Sequence, residues 1–315
     1  MRPRPATERS ADRLRTPDVR RRTLLLLPAL GLAPSVLLSA CAEEPAVPSA
    51  SPTTTVPSED PAPTEEPVPS QEPLRAADQV VAYGDDPSQL AELYRPAGAS
   101  RGVVVVIHGG FWKAAYDHTL GQPLARALAD DGWTAWNIEY RRVGNGGGTP
   151  QTFHDVAAAI DALAEVEDLD LSTVVTLGHS AGGHLAVWAA GRPHPRVAVT
   201  HAISQAGVLD LVMSERLGLG GGAAAALLGH VPGPDGARWD PQQQIPIDVP
   251  VWCVHGVDDT IVPLGQSEGY VVDARAAGAR AEVLRVPGDH FAVIDPTSEA
   301  WAATVEVLDS IAPPR

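Results

Sequence analysis

The sequence predicts an α/β fold in which a mostly parallel central sheet has helices on both faces. Two observations indicate this class. From residue 78 onward, short apolar segments alternate with segments whose apolar residues recur at helical spacing. In addition, residues 102–107 contain four consecutive valines followed by an isoleucine, which is typical of a central strand buried on both faces.

The remaining elements follow in order along the chain. Short apolar segments at 80–83 and 91–94 are expected to be antiparallel strands at one edge of the sheet. After the central strand, strands are predicted over 133–140, 173–177, 197–203, 249–254 and 281–286. Helices are predicted over 120–129, 152–166, 181–190, 266–277 and 296–311. Residues 209–247 interrupt this alternation, and we expect an insertion above the carboxyl ends of the strands, where such folds have their sites.

Composition excludes several classes of protein. The 315 residues include 23 Lys+Arg and 39 Asp+Glu, a formal net charge of −16, which argues against a nucleic-acid-binding protein. A hydrophobic content of 44% excludes wholesale disorder. With two cysteines, Cys41 and Cys253, and no zinc-type histidine spacing, we expect neither a disulfide framework nor a metal or other cofactor.

Residues 1–40 have the pattern of an export signal. Three consecutive arginines, at 20–22, precede an uncharged run over 23–40, and the segment 21–25 resembles a twin-arginine signal. The residues Leu-Ser-Ala-Cys at 38–41 resemble a bacterial lipobox, whose cysteine is lipidated. A membrane-spanning helix is the less favoured reading, because the run is short and contains two prolines and a glycine. We expect an exported protein that is attached to a membrane through a lipid anchor at Cys41.

Residues 42–75 are predicted to be a disordered linker. They contain nine prolines and seven acidic residues, and they cannot bury enough apolar surface to offset the entropy of ordering. The sequence does not distinguish a spacer from a stretch without function. The folded domain is therefore predicted over 76–315.

A candidate nucleophile follows the strand predicted at 173–177. Residues 178–182 read Gly-His-Ser-Ala-Gly and run directly into a predicted helix, which is the strand–turn–helix context of the G-x-S-x-G elbow. Ser180 must lie on a strained turn with its hydroxyl accessible, so the residues two before and two after it must be small. The alternative is an ordinary tight turn that carries a solvated serine.

Candidate oxyanion donors follow the central strand. Glycines at 109 and 110 allow backbone N–H groups to approach a substrate oxygen together with the N–H of Ala181. His108 is either a base or, as we expect, a hydrogen-bonded brace for this loop. Phe111 and Trp112 are predicted to line the substrate pocket, although either could belong to the core.

The acid and base are expected later in the chain, in the order Ser, Asp, His. His290 follows the strand predicted at 281–286 and is the candidate that accepts the serine proton. Asp258 and Asp259 both follow the strand predicted at 249–254, and one of them would hold the tautomer of His290.

Together these motifs resemble those of α/β-hydrolases, and more narrowly the branch that includes hormone-sensitive lipase-like esterases and kynurenine formamidases. Residues 108–112 are similar to the H-G-G-[FY]-W of the formamidases, and 178–186 resemble the extended elbow of the group. Residues 203–211 resemble its I-S-G-x-x-D-L segment, with a departure at 205–206.

The resemblance implies an α/β-hydrolase fold over about 80–312. It also implies roles for individual residues: the pattern H-G-x-x-D-x-x-V-P matches its acid to Asp259, and G-D-H-F matches its base to His290.

We expect a serine carboxylesterase that cleaves a small or medium acyl ester. The alternatives are a kynurenine formamidase-like amide hydrolase, which export disfavours, and a dipeptidyl-peptidase-like enzyme, which the lack of a preceding β domain disfavours. A non-catalytic binding protein is disfavoured by the complete set of candidate catalytic residues.

Overall fold

The computed structural model describes residues 75–313. The predicted signal, Cys41 and all but the last residue of the predicted linker lie outside the described residues.

Within these residues, eight strands form one sheet in the order β1-β2-β4-β3-β5-β6-β7-β8. The strands are β1 (Gln79–Ala82), β2 (Leu90–Tyr94), β3 (Val103–Ile107), β4 (Thr134–Ile138), β5 (Val174–His179), β6 (His201–Gln205), β7 (Val251–Gly256) and β8 (Ala281–Val286). The pairs β1–β2 and β2–β4 are antiparallel, and all other neighbours in the sheet are parallel.

The α-helices of the described residues are α1 (Gln122–Asp130), α2 (Gln151–Asp161), α3 (Ala181–Ala190), α4 (Leu211–Arg216), α5 (Ala223–Leu228), α6 (Gly265–Ala276) and α7 (Glu299–Ile311). Together with the sheet they confirm the predicted α/β class. None of these helices is long and apolar enough to cross a membrane.

The central strand β3 is buried on both faces, as its composition predicts. Val103, Val105 and Ile107 belong to a core cluster that includes side chains of α2 and α3. Val104 and Val106 point the opposite way, into a cluster with side chains of α1 and α7. Since burial of one such side chain stabilises the fold by about 1.5–3 kcal/mol, this strand anchors both layers.

Some element boundaries differ from those predicted. A strand predicted from residue 197 begins at His201, because the Val197 N–H donates to the carboxylate of Asp161 at 3.0 Å and is not available for sheet pairing. The last helix begins at Glu299 and not near 296, because the Ser298 hydroxyl accepts the N–H of Trp301 and caps the helix there.

The predicted insertion occupies the connection between β6 and β7. It contains the short helices α4 and α5, together with several 3-10 turns. One of its glycines, Gly220, contacts the loop that follows β3 through Lys113, whose Nζ donates to the Gly220 carbonyl at 2.7 Å. The insertion therefore contacts the edge of the sheet at which the predicted site residues lie.

Candidate active site

Ser180 lies on the turn between β5 and α3, in a backbone conformation that few non-glycine residues adopt. Its φ is 55° and its ψ is −117°, and its N–H donates to the Gln205 carbonyl at 2.8 Å. A Cβ at Gly178 would overlap the Gly182 carbonyl, and a Cβ at Gly182 would overlap the carbonyl of Ile107. The predicted need for the smallest residues two before and two after the serine is confirmed.

His290 and Asp259 lie side by side on the loops that follow β8 and β7. His290 Nδ1 is 2.6 Å from Asp259 Oδ2, and both side chains are almost completely buried. A carboxylate accepts, so Nδ1 carries the proton and Nε2 of the neutral ring is left to accept one. Asp258 is exposed, and its N–H donates to the Gly288 carbonyl. Of the two candidate acids, Asp259 is the one that contacts His290.

The Asp259 carboxylate is held by four donors. Its Oδ1 accepts the N–H groups of Ile261 and Val262, each at 2.8 Å, and its Oδ2 faces His290 and His255 Nε2, the latter at 3.2 Å. Burial raises the pKa of Asp259, but the hydrogen bonds from His255, His290 and Val262 outweigh burial and keep this pKa well below its ordinary value. Asp259 is therefore ionised throughout the neutral range.

His255 is a site residue that sequence reasoning missed. It is fully buried on β7, and its Nε2 also lies 2.9 Å from the Val262 carbonyl. With a carbonyl and a carboxylate both facing Nε2, that nitrogen carries the proton, and Nδ1 accepts the Ser267 hydroxyl at 2.8 Å. The signal that could have found it is its place four residues before Asp259, in the H-G-x-x-D pattern.

His179 is a second missed residue, directly before the nucleophile. Its ring centroid lies 4.5 Å from that of His290, and its Nε2 donates to the His290 carbonyl at 2.9 Å. Burial, assisted by the neighbouring His290, lowers the pKa of His179 to about 3. The ring is thus neutral at ordinary pH and fixes the backbone that carries the base.

The predicted oxyanion residues surround Ser180. A Cβ at Gly109 would lie 2.9 Å from the His179 carbonyl and 3.2 Å from Ser180 Cβ, so Gly109 packs directly on the elbow. Gly110 has a φ of +110° and lines the same cavity as Ser180. Ala181 is the first residue of α3, so its N–H has no helical acceptor one turn earlier and points from the positive end of the helix dipole.

His108 braces the oxyanion loop. It is buried, its ring stacks on Tyr140 at 4.5 Å, and the Tyr140 hydroxyl donates to its carbonyl at 2.8 Å. Its Nδ1 donates to the Gly109 carbonyl at 2.8 Å, and its Nε2 lies 3.2 Å from Arg142 Nη1. Burial, and secondarily the Arg142 charge, lower the pKa of His108 to about 3. A neutral ring with both nitrogens engaged is suited to bracing and not to proton transfer.

Ser180 and His290 open into a cavity of about 200 Å³ with a largely apolar wall. The wall is formed by Gly110, Phe111, Tyr116, Leu120, His179, Ser180, Ile261, His290, Phe291 and Ile294. Among the described residues, no carboxylate, lysine or arginine belongs to this wall. Within residues 75–313, no hydrogen bond joins the Ser180 hydroxyl to His290. Catalytic hydrogen bonds are often long in ligand-free enzymes and shorten only when substrate binds.

Trp112, predicted to line the pocket with Phe111, lies in the core. It is 0% exposed, and its ring meets His184 edge-on at 5.1 Å. Phe111 and Trp112 both have positive φ, 51° and 54°, so the chain reverses here and sends one side chain to the cavity and the next inward. The residues described include no cluster of three or more His, Cys, Asp or Glu arranged to hold a metal ion.

The sheet order, the elbow serine and the His–Asp pair on successive strand-end loops define an α/β-hydrolase. A sequence model of the BD-FAE family matches residues 91–271, and the chain belongs to this family. The matched part includes Ser180 and Asp259 and ends before His290.

Known proteins are similar to parts of this chain in sequence or in structure. Over 116 residues the chain is 34% identical to esterase LipC of Mycobacterium tuberculosis, a match that covers 35% of this chain and 28% of LipC. A bifunctional GH43-CE protein of Bacteroides eggerthii aligns with a TM-score of 0.63 and 26% identity, over 73% of this chain and 37% of its own. The chain thus spans well under half the length of both relatives.

A further structure, the apo form of Thermogutta terrifontis esterase 2, supports the fold over nearly its whole length. It aligns with a TM-score of 0.63 and 23% identity, over 76% of this chain and 95% of its own.

Proposed function

We propose that this protein is a serine carboxylesterase that cleaves a small or medium acyl ester through an acyl-enzyme on Ser180. The observation that carries the proposal is the hydrogen-bonded His290–Asp259 pair, which shares one apolar cavity with a serine on a strained elbow. This is the arrangement that nucleophilic acyl transfer requires.

In the acylation step, the Ser180 oxygen attacks the ester carbonyl while His290 Nε2 accepts the hydroxyl proton. Asp259 stabilises the imidazolium that forms, and backbone N–H groups of the loop at Gly109 and Gly110 and of Ala181 receive the oxyanion. Collapse of the tetrahedral intermediate breaks the bond to the alcohol, which leaves with the proton from His290. Water then attacks the acyl-enzyme by the same route and releases the carboxylic acid and the free serine.

The cavity supports uncharged substrates of limited size. A volume of about 200 Å³ with apolar walls accommodates a short acyl or a single-ring group, and it offers no partner for a charged one. An acylated sugar is a candidate substrate, with the sugar as the alcohol part of the ester. The names of two aligned proteins support it: the GH43-CE protein, and a carbohydrate esterase from gut microbiota with a TM-score of 0.62 and 19% identity.

A second candidate function is hydrolysis of an aryl formamide. The aromatic side chains of Phe111, Tyr116 and Phe291 in the cavity wall favour it, together with the H-G-G-F-W sequence at 108–112. A planar aryl group would stack against such side chains.

One substrate panel tests both candidates on the purified domain. The panel contains p-nitrophenyl acetate and butyrate, an acetylated sugar and N-formylkynurenine, each measured with wild type and Ser180→Ala. Ester hydrolysis that Ser180→Ala abolishes, in a variant with unchanged circular dichroism, supports the esterase. Faster turnover of the formamide favours the second candidate, and turnover retained by Ser180→Ala refutes the serine mechanism.

We also propose that the protein is exported and lipid-anchored at Cys41 on the outer face of a bacterial membrane. The proposal is supported by the signal-like residues 1–40 and by the lipobox at 38–41. Incorporation of labelled palmitate into the wild-type chain but not into Cys41→Ser would support it. A wild-type chain without label, recovered from the soluble fraction, would refute it.

A further inference from the structure

A glycine-rich loop of the insertion lies against a side chain of the active-site cavity. Residues 218–222 form this glycine loop. Phe111 lines the cavity, and a Cβ built on Gly220 would lie 2.5 Å from Cδ1 and 2.7 Å from Cγ of the Phe111 ring. The ring therefore occupies the space that any side chain at position 220 would take.

Lys113 connects the glycine loop to the loop that contains the oxyanion donors. Its Nζ donates to the Gly220 carbonyl at 2.7 Å and lies 5.9 Å from the centroid of the Phe111 ring. Its backbone N–H donates to the Gly110 carbonyl at 3.0 Å. The insertion, the cavity wall and the oxyanion loop are thus joined around one aromatic ring.

The position of the Phe111 ring bears directly on the room left for substrate. On one side the ring meets Gly220, and on another it packs against the hydrophobic core. Since a close-packed core yields little, a ring pushed away from position 220 moves toward the cavity. In a cavity of about 200 Å³, a shift of this kind removes space for the larger group of an ester.

We infer that Gly220 is a positioning residue for substrate size: its missing side chain lets Phe111 retract, and the retracted ring sets how large an acyl or alcohol group the site accepts. The inference rests on the proposed esterase function, because it concerns the substrates of that same site.

The chain offers a matched control for the test. Gly220 and Gly221 have φ values of +60° and +70°, so alanine is strained similarly at both positions. A Cβ at Gly221, however, meets nothing within 4 Å. Gly220→Ala and Gly221→Ala therefore differ in whether the new methyl group reaches Phe111.

The experiment measures kcat/KM for two ester series, with urea stability followed in parallel. One series lengthens the acyl chain from p-nitrophenyl acetate to octanoate, and the other enlarges the alcohol of acetate esters from ethyl to phenyl. In at least one series, Gly220→Ala should lower the large-to-small ratio of kcat/KM by about tenfold, the effect of crowding by a methyl-sized group. Gly221→Ala should leave both ratios unchanged, and adding Phe111→Ala to Gly220→Ala should restore the large substrate.

The outcomes distinguish failure of the role of Gly220 from failure of the esterase function. Equal ratios in the two alanine variants, or no recovery in the double variant, would overturn the role of Gly220 while the esterase stands. A wild-type chain that hydrolyses no ester in either series would refute the proposed function, and this inference with it.

Discussion

Replacing Asp259 by asparagine should abolish proton transfer by His290 while it leaves the shape of the site nearly unchanged. The reason lies in the four donors around this side chain. Oδ1 accepts the N–H groups of Ile261 and Val262. An amide NH2 group donates and does not accept, so it could not take the place of this oxygen. In Asp259→Asn the amide oxygen must therefore stay with these two N–H groups, and its NH2 group must face His290.

An NH2 group at this place forces the wrong tautomer of the base. His290 Nδ1, at 2.6 Å from the carboxylate oxygen in the wild type, would have to accept a hydrogen bond, so the proton moves to Nε2. A protonated Nε2 cannot take the serine proton, and a change of this kind lowers kcat by about 10⁴-fold. The NH2 group also opposes the Nε2 proton of His255, which adds a loss of about 1–3 kcal/mol in the free energy of unfolding.

The assay is p-nitrophenyl acetate hydrolysis at pH 7, with Asp258→Asn as the matched control because Asp258 is exposed and lies one residue away. We expect Asp258→Asn to retain wild-type kcat. If Asp259→Asn kept a tenth or more of wild-type kcat, or if the two variants lost activity equally, the tautomer argument would be wrong.

Two further predictions concern buried polar groups. Burial raises the pKa of Asp240 to about 6. Between about pH 4 and 6 the folded state therefore binds more protons than the unfolded state, and the folded protein becomes less stable as pH rises through that window. Asp240→Asn cannot ionise, so this loss of stability with rising pH should be absent from the variant. In urea titrations, the free energy of unfolding of Asp240→Asn relative to wild type should therefore rise by roughly 3 kcal/mol between pH 4 and 7, at about 1.4 kcal/mol per pKa unit. A difference in unfolding free energy that does not change with pH would contradict this prediction. Ser267→Ala leaves the buried Nδ1 of His255 without its hydrogen-bond donor. We expect a loss of about 1–3 kcal/mol in the free energy of unfolding and a lower kcat at unchanged KM. If the variant kept wild-type stability and kcat, the Ser267 hydroxyl would have no part in holding Asp259 through His255.

The parts of the structure that a residue pattern within one segment encodes could be predicted from the sequence. The run of four valines and an isoleucine at 103–107 indicated that β3 is a central strand, and the glycines at 178 and 182 located the elbow. Part of the crowding at the elbow was not visible in the sequence, because a Cβ at Gly182 would overlap the carbonyl of Ile107 on β3. Asp259 could not be separated from Asp258 by residue type, since the distinction depends on how the loops after β7 and β8 face each other. A resemblance in motif supplied what local reasoning did not.

The features that prediction missed depend on contacts between distant segments. His179 has its polar partner on the loop after β8, and no local pattern encodes that pairing. His255 could have been found from its place in the H-G-x-x-D pattern, but its partner in α6, Ser267, lies outside that pattern. Trp112 was expected in the pocket, but two consecutive positive φ values turn it into the core, and such backbone angles are not visible in residue types that normally avoid them. The start of β6 was misplaced because a carboxylate from α2 accepts a backbone N–H that strand pairing would have used.

The claim that Ser180 is the nucleophile is tested most directly by covalent labelling. Thermogutta terrifontis esterase 2, which shares this fold with a TM-score of 0.63 and 21% identity, has been captured phosphonylated by sarin, so an organophosphonate is the appropriate class of probe. The purified protein should take up one phosphonyl group per chain from a fluorophosphonate, and peptide mass mapping should place it on Ser180. Absence of an adduct from the folded wild-type protein, or an adduct on another residue that Ser180→Ala retains, would contradict the mechanism.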